Sequence, residues 1–416
     1  MRKVLRIGSK RKHKATHHGE NLNVEFNTRI QMIQALIPIG LMAVAEQLEE
    51  EVRQLAGERY SRQGGLPKHH RWGSQARSIY LSDQKICIDV PRVRNSLKNE
   101  EVPLRSCQSL QSPRQADEGL LRRVLMGLSC RNYACCAEAI PEAFGLSSST
   151  VSRRFIQASS RKLKDLAERD LSKYDFVALF IDGKTFAEDE MIIALGVTVT
   201  GEKIPLGFIQ TATENERVVK NFLEGLVERG LDIEQGILCV IDGAKGLCAA
   251  IGKVFQDRVL IQRCQWHKRE NVVSYLPKSQ QGIWRRRLQR AYEKPTYEEA
   301  SRALNRLKPE LKLLNESALA SLQEGLEQTL TLHRLGLFRQ LGISLKTTNC
   351  IESVMSLVGQ YTDKVDYWKN SSQKHRWIAS ALLEIEPRLR RIKGYRYLPL
   401  LRVALQQTLK LSKEAA

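Results

Sequence analysis

The spacing of hydrophobic and polar residues changes several times along the chain, and each change marks a predicted element. From about Thr28 to Glu58, apolar residues recur at roughly helical intervals, which predicts a helix that Pro38 kinks or divides. Alternation over residues 78–93 then predicts one or two short strands. Residues 95–115 are polar and rich in turn-forming residues, so we expect a linker there.

Three short helices are predicted next. A Gly-containing turn and a run of Ser and Thr precede the third, which is typical of a helix-turn-helix motif. A plain packing unit of three helices is the alternative interpretation. The three predicted helices cover residues 118–128, 134–144 and 150–164.

The middle of the chain changes to a strand-rich pattern. Three hairpin-linked strands are followed by alternating helix and strand, which is the order of a ribonuclease-H-like sheet. From about residue 271 to 341 the pattern is almost wholly helical, so we interpret that stretch as an insertion. The predicted strands cover 176–182, 191–199, 203–210, 237–242 and 258–262, and the predicted helices between them cover 215–229 and 245–255.

The predicted fold class is therefore α/β: a ribonuclease-H-like mixed sheet with an all-helical insertion, preceded by an N-terminal, mainly helical DNA-binding region. The expected segments are a basic disordered tail (1–20), an N-terminal helix with a small β region (21–115), the helix-turn-helix-like region (116–172), the first part of the core (173–270), the helical insertion (271–344), and the rest of the core with basic C-terminal helices (345–416).

The charge of the chain adds a class of partner to this picture. Its 66 Lys and Arg against 46 Asp and Glu give a net charge of +20 and a pI near 9.6. Such an excess favours a polyanion, because basic side chains that neutralise phosphates release bound counterions. A ribosome-associated or merely basic protein is the alternative. With the helix-turn-helix pattern, the charge predicts DNA contacts from Ser149, Ser152, Arg153 and Arg154.

The cysteines and the apolar segments indicate the compartment. The nine cysteines are an odd number and are scattered, which is typical of free thiols in a reducing environment. The most apolar N-terminal run, residues 35–45, contains Pro38 and Gly40 and is too short to span a bilayer. We therefore expect a cytoplasmic protein with no membrane partner.

Two of the predicted strands end in the same dipeptide, Asp182-Gly183 and Asp242-Gly243. An apolar strand leaves such a carboxylate at its mouth, and the glycine allows close approach of backbone or substrate. Two carboxylates on neighbouring strands would hold a hard cation through oxygen ligands. Asp-Gly is also a common turn, which is the alternative for each pair taken alone.

A third carboxylate, Glu352, follows much later in TTNCIESVMSLV. Asn349 would cap this helix in a capping-box-like arrangement, which is the structural alternative. With the two aspartates, Glu352 would complete a metal site. Two Mg²⁺ or Mn²⁺ ions held there would activate an oxygen nucleophile and neutralise charge on a phosphodiester. No protein nucleophile is needed for that chemistry.

Many motifs of the chain occur in the order found in one family. The segments IDGKTF, ALGVTVTGEKIPLGF, CVIDGAKGL, QRCQWHKREN, TTNCIES and ALLEIEPRLRRIKGYRYLPLL resemble the mutator-type bacterial insertion-sequence transposases from about residue 120 to 405. The resemblance implies that Asp182, Asp242 and Glu352 are metal ligands in a ribonuclease-H-like core. It also implies cleavage and strand transfer at terminal inverted repeats, a target DNA, a homodimer or larger assembly, and a nucleoid-associated protein.

The resemblance also covers a Cys-x-x-His motif, here Cys264 and His267. The pair is half of a structural zinc site, so we expect it to support the active site instead, with Lys268 and Arg269 touching DNA. Core packing is the alternative for Cys264.

One position departs from the family pattern. Such transposases place a basic residue about two helical turns after the catalytic Glu, whereas this chain has Gly359. Either Lys364, Lys369 or Arg376 takes over the DNA contact, or the activity of this copy is weakened. Trp368 and Trp377 flank that stretch, and packing is preferred over stacking on DNA.

Two other functions fit part of this pattern, and a third does not. A nuclease of the same fold without joining activity shares all three carboxylates, and a DNA-binding regulator without catalysis would fit Gly359. A haloacid-dehalogenase-type phosphatase is excluded because Lys184 stands where its second aspartate would be. A Walker-type phosphate loop is absent from the sequence, so ATP dependence is not indicated.

Overall fold

The computed structural model describes residues 40–60, 65–81, 84–111, 114–131, 133, 147–186, 188–211 and 215–414. The chain divides into two compact units. The first comprises residues 1–120 and 129–152, and the second comprises residues 121–128 and 153–416.

The first unit contains a helix and an antiparallel sheet in the strand order β1-β2-β3. Apolar residues of the helix, including Leu48 and Val52, pack on Val90 and Val93 of the second strand. Both carboxylate oxygens of Glu51 accept hydrogen bonds from the first N–H groups of the next helix, at 2.6 and 2.9 Å. The elements are α1 (40–56), β1 (His69–Leu81), β2 (Gln84–Asn95), β3 (Glu100–Val102) and α2 (Arg105–Gln111).

Two predictions for this unit need correction. The strands predicted in residues 78–93 are present, but they are not short: they extend beyond that range and are 13 and 12 residues long. The predicted linker at 95–115 contains β3 and α2, because Arg77 and Arg92 both pair with Glu101 while Glu51 caps α2. These contacts come from sequence-distant residues.

The predicted helix-turn-helix is only partly visible. Its first and third helices are α3 (Arg114–Leu125) and α4 (Ser148–Ala167). Its second predicted helix, 134–144, lies outside the described residues, as do the basic tail at 1–20 and the start of the first predicted helix. The motif therefore stays a prediction.

The second unit is built on a mixed sheet in the order β6-β5-β4-β7-β8. The first three strands form an antiparallel meander, and β7 and β8 run parallel to β4. The predicted strands and the helices between them are confirmed to within a few residues. They are β4 (Phe176–Phe186), β5 (Asp189–Thr198), β6 (Lys203–Thr211), α5 (Glu216–Glu228), β7 (Ile237–Ile241), α6 (Lys245–Phe255) and β8 (Val259–Arg263).

The sheet is covered on both faces, which explains the continuous apolar runs of its strands. One face carries Leu179 and Ile181 against buried residues of α5 and α6, such as Leu223 and Ile251. Residues on the other face of β4, which include Asp182, are buried too, and a C-terminal helix packs there. The side chain of Asp182 therefore lies on a face of the sheet that is covered by the rest of the protein.

Residues 264–348 are all described and contain helices but no strand, as the sequence predicts. They have a hydrophobic core of their own, with Trp284 as its largest fully buried side chain. The helices are α7 (Gln265–Ser274), α8 (Lys278–Tyr292), α9 (Tyr297–Leu314), α10 (Glu316–Gln323), α11 (Leu326–Thr329), α12 (Thr331–Arg334) and α13 (Phe338–Leu345).

Three helices close the second unit: α14 (Asn349–Thr362), α15 (Ser371–Ile385) and α16 (Leu398–Glu414). Helix α14 packs against β4 and α15. Among the described residues, no helix combines the length and the apolar composition needed to cross a membrane.

Candidate active site

Asp182 lies on β4 and is only 6% exposed. The N–H group of Gly183 donates to Asp182 Oδ1 at 3.1 Å, which fixes one carboxylate oxygen and leaves the other for a ligand. Strand β4 pairs with β5 on one side and with β7 on the other, so Asp182 lies on the central strand of the sheet.

Asp242 comes directly after β7, the parallel neighbour of β4. Phe180 is paired with Val240, and continuing that register by two residues brings Asp182 beside Asp242. The N–H group of Ala244 donates to Asp242 Oδ1 at 3.0 Å. Gly243 has a φ of +103°, and an added Cβ would lie 2.5 Å from Arg263 Nε, so this turn requires glycine.

Glu352 lies in the first turn of α14, the helix that covers β4. The hydroxyl of Thr348 donates to Glu352 Oε1 at 2.6 Å, and the Glu352 N–H group donates back to the Thr348 carbonyl at 3.0 Å. The predicted cap from Asn349 is wrong, because Asn349 is already the first helical residue and makes no such cap. Thr348 therefore sets the position of the third carboxylate.

Asp182 is close enough to Asp242 and Glu352 for their charges to change its pKa. Burial and the charges of Asp242 and Glu352 raise the pKa of Asp182 to about 7, opposed by the positive charge of His267. Uncompensated negative charge in a partly buried site favours binding of a cation.

Thr348 also joins this site to the Cys-x-x-His motif. Its hydroxyl oxygen lies 3.3 Å from His267 Nδ1 and 3.5 Å from Cys264 Sγ. The hydrogen bond with Cys264 raises the pKa of His267 to about 9, with help from the charges of Asp182 and Glu352. Burial would raise the pKa of Cys264, but the hydrogen-bonding contacts with His267 and Thr348 outweigh it and lower that pKa.

Thr348 was missed by sequence reasoning, although its place just before the Glu352 helix is a signal that could have found it. Cys264 is fully buried and accepts from the His267 N–H group at the start of α7. Thr348 connects the pair to Glu352, and the supporting role of Cys264 and His267 stays a prediction.

A buried charged network was also missed. Arg263 donates to the carbonyls of Gly243 and Glu324 and to the Glu324 carboxylate. Lys268, predicted to contact DNA, is instead 3% exposed, and its ammonium donates to the carbonyls of Ser321 and Glu324 and to the Glu324 carboxylate. Lys268 is therefore corrected to a structural residue, because its three donors are used inside the protein.

Other basic residues predicted to contact DNA are also held by the protein. Arg269 pairs with Glu270 and Gln289, at 2.9 and 2.7 Å. Lys364 Nζ donates to the carbonyl of Met126 at 2.9 Å. The remaining predicted residues differ in exposure and in contacts. Ser149 and Arg153 are exposed, Ser152 and Arg154 are half-buried, and the half-buried Arg376 donates to Ser372 at 2.6 Å.

Metal-ligating geometry is not preformed. Within the described ranges, no three His, Cys, Asp or Glu side chains stand close enough together to coordinate one ion. Asp182, Asp242 and Glu352 are close enough for their charges to interact, and they offer the carboxylate oxygens that hard cations prefer.

Comparison with known proteins gives the family. The family model described as "Transposase, Mutator family" matches residues 14–388. The transposase for insertion sequence element ISRM5 of Rhizobium meliloti (strain 1021) is 26% identical over 349 residues, 81% of this chain and 83% of the relative.

Two further relatives agree. The transposase for insertion sequence element IS905 of Lactococcus lactis subsp. lactis (strain IL1403) is 25% identical, covering 81% of this chain and 85% of the relative. The transposase for insertion sequence element IS256 in transposon Tn4001 of Staphylococcus aureus is 28% identical, covering 64% and 69%. Since the family match spans most of the chain, the protein belongs to the Mutator family of transposases.

Proposed function

We propose that this transposase cuts DNA at the terminal inverted repeats of an insertion sequence and joins the ends to a target DNA, with divalent metal held by Asp182, Asp242 and Glu352. The observation that carries the proposal is the placement of Asp182 on β4, of Asp242 directly after the adjacent parallel strand β7, and of Glu352 on the helix that packs against β4, with the charges of Asp242 and Glu352 acting on Asp182. The relatives named above are transposases of insertion sequences, which gives the class of substrate.

We interpret the second unit as a ribonuclease-H-like core. An antiparallel meander followed by two parallel strands is the sheet order expected for that fold, with the carboxylates on the two central parallel strands. On this view the helices between residues 265 and 345 are an insertion, placed between the strand that precedes Cys264 and the helix of Glu352.

The residues present fit Mg²⁺ or Mn²⁺. All three side chains are oxygen donors, and Asp182 and Asp242 each keep one oxygen outside their backbone hydrogen bonds. Burial first, and then the charges of Asp242 and Glu352, raise the pKa of Asp182. Two such ions would supply Lewis-acid stabilisation of the charge that develops on a phosphodiester.

The residues around the carboxylates have separate tasks. Thr348 orients Glu352 through its hydroxyl, and the imidazole of His267 offsets the negative charge of the site. The net charge of +20 supplies the general attraction for DNA, and the helix-turn-helix-like region supplies part of the contact. Joining two DNA ends requires both in one complex, which favours a homodimer or a larger assembly.

A strand-transfer assay tests this function. Purified protein, Mg²⁺ or Mn²⁺, labelled DNA carrying the element's ends and a supercoiled target should give joined products. Asp182→Asn, Asp242→Asn and Glu352→Gln should each abolish cleavage and joining while binding of end DNA persists. Asp257→Asn, which changes an exposed aspartate paired with Arg258 in the short 3-10 helix before β8, is the control and should remain active.

The other outcomes assign the alternative functions. Cleavage without joining would favour a nuclease of the same fold. Binding of DNA with neither activity would favour a DNA-binding regulator. Loss of folding in the three carboxylate variants, with Asp257→Asn intact, would show that these residues are structural.

A further inference from the structure

A cavity of about 160 Å³ lies in the second unit between the β4–β5 hairpin and helices α14 and α15. Most of its wall is apolar or aromatic. Polar groups are present at its edge, among them Lys184 and Asp363. The apolar and aromatic part of the wall comprises Phe186, Met191, Ile193, Met355, Val358, Val365, Trp368 and Ile378.

The cavity adjoins the candidate active site. Ile193 is paired directly with Asp182 across the β4–β5 ladder, and it forms part of the cavity wall. Met355 follows Glu352 by three residues on α14, which places both on one side of that helix. The cavity is therefore lined by one neighbour of each of these two carboxylates, Ile193 for Asp182 and Met355 for Glu352.

Lys184 supplies a cation at the edge of this cavity. It follows Asp182 by two residues on β4, so the two side chains leave the same face of the sheet. Lys184 is exposed and forms no hydrogen bond or ion pair with any residue that the structure describes. Its ammonium is free for an anionic ligand, in contrast to Lys364 and Lys268, whose donors are used by the protein.

We propose that this cavity is a nucleotide subsite, which takes one unpaired base of the DNA end while Lys184 holds the phosphate attached to it. The proposal rests on the proposed function, because the adjoining phosphodiester is placed at the carboxylates. The volume suits a single base and excludes a base pair, and a base has two flat apolar faces that the wall can cover.

The polar groups agree with this orientation. Lys184 attracts the phosphate, whereas the Asp363 carboxylate repels it and can accept a hydrogen bond from an exocyclic amino group of the base. The ring of Trp368 lies 4.9 Å from that of Phe186, so the two aromatic side chains form a continuous part of the wall. The base is held by contact with this wall.

Gly359 keeps the cavity open. It lines the wall in the middle of α14 with ordinary helical backbone, so a larger side chain is not excluded by strain. The atoms nearest to an added Cβ are those of the Asp363 carboxylate, the closest at 3.2 Å. The absence of a basic side chain at this position therefore leaves room for the base, and Lys184 supplies the positive charge.

The test compares three forms of one end duplex: blunt, with one unpaired nucleotide at the end, and with an abasic residue at that nucleotide. The wild-type protein should bind the unpaired nucleotide about tenfold more tightly than the abasic form, since contact with one base contributes about 1–3 kcal/mol. Gly359→Leu should bring that ratio close to one. Gly252→Leu, an added leucine at an exposed helical glycine, should keep the wild-type ratio.

Lys184→Gln tests the phosphate contact. It should weaken binding of the base-containing and abasic forms equally and reduce the slope of log affinity against log salt by about 1. Lys220→Gln, which removes an exposed lysine on α5, should leave the slope unchanged. The wild-type ratio and Lys184→Gln need no change in the packed helix, so the test holds even when Gly359→Leu fails to fold.

The outcomes separate the two proposals. A wild-type ratio near one, or a tenfold ratio that survives Gly359→Leu, overturns the cavity as a base site. An unchanged salt slope for Lys184→Gln overturns the phosphate contact. Wild-type protein that neither binds nor cleaves end DNA overturns the proposed function, and the subsite with it.

Discussion

Thr348→Val is the substitution that most directly tests how the third carboxylate is positioned. Valine has nearly the shape of threonine but lacks the hydroxyl, which donates to Glu352 Oε1 at 2.6 Å. The same oxygen is 3.3 Å from His267 Nδ1 and 3.5 Å from Cys264 Sγ. One substitution therefore disconnects Glu352 from the Cys-x-x-His motif without creating a cavity.

The magnitude follows from these contacts. The bond to Glu352 is short and involves a carboxylate, and such bonds contribute about 1.5–3 kcal/mol. Because Glu352 is only half-buried and water can replace part of the bond, we expect a loss of about 1–2 kcal/mol in the free energy of unfolding. Groups that orient a metal ligand typically change metal affinity or activity by about 10–100-fold.

The assay measures strand transfer as a function of Mg²⁺ concentration and of DNA concentration. Thr348→Val should lower the maximal rate or raise the half-saturating Mg²⁺ concentration, while the half-saturating DNA concentration stays near that of the wild type. Thr348→Ser, which keeps the hydroxyl, should be close to the wild type. Equal defects in the serine and valine variants, or no defect in either, would refute the reasoning.

Three further predictions concern stability. Glu324→Gln removes the charge that neutralises the buried Arg263 and Lys268, and because Glu324 is 48% exposed the expected loss is about 1–2 kcal/mol, measured by urea unfolding. Glu51→Ala uncaps α2 and should cost about 1 kcal/mol, seen as faster hydrogen exchange in residues 105–111, with no change expected in the second unit. Burial lowers the pKa of His333, so ionisation opposes folding: wild-type stability should fall as the pH drops below about 6.5, and His333→Gln should weaken that dependence. An identical pH dependence in both proteins would contradict this assignment.

The sheet of the second unit could be predicted because its signals are local. Each buried strand is a short apolar run, and β7 and the helix that follows it matched the prediction within a residue. Asp182 and Asp242 were found because each follows an apolar run directly in the sequence. The predicted end of the strand at Asp182 is wrong, however, because β4 stays paired with β5 as far as Phe186. Their closeness in space needed only the parallel pairing of β4 with β7.

The features that were missed depend on partners far away in the sequence. The basic residues around Lys268 in the sequence suggest an exposed surface. Lys268 is buried because Glu324, which is far away in the sequence, pairs with it in the folded chain. The segment that forms α2 was predicted to be a linker because the residue that caps it, Glu51, lies far away in the sequence, on α1. The sequence does not show that Thr348 contacts both His267 and Glu352. Those contacts form only when α7 and α14 come together in the fold.

The long helical segment does not separate the two halves of the candidate site because its two ends meet. The N–H group of Gln265, where the helices begin, donates to the carbonyl of Lys346, where they end, at 3.0 Å. Closing a long loop becomes only slowly more costly with length, and this segment has its own core around Trp284 to stabilise it. Arg263 and Glu324 join its interior to the carbonyl that follows Asp242, so the segment is held at both its ends and its middle. Changes in the helices, and at Glu324 above all, should therefore be felt at Asp242, even though no helix between residues 265 and 345 supplies a carboxylate to the proposed site.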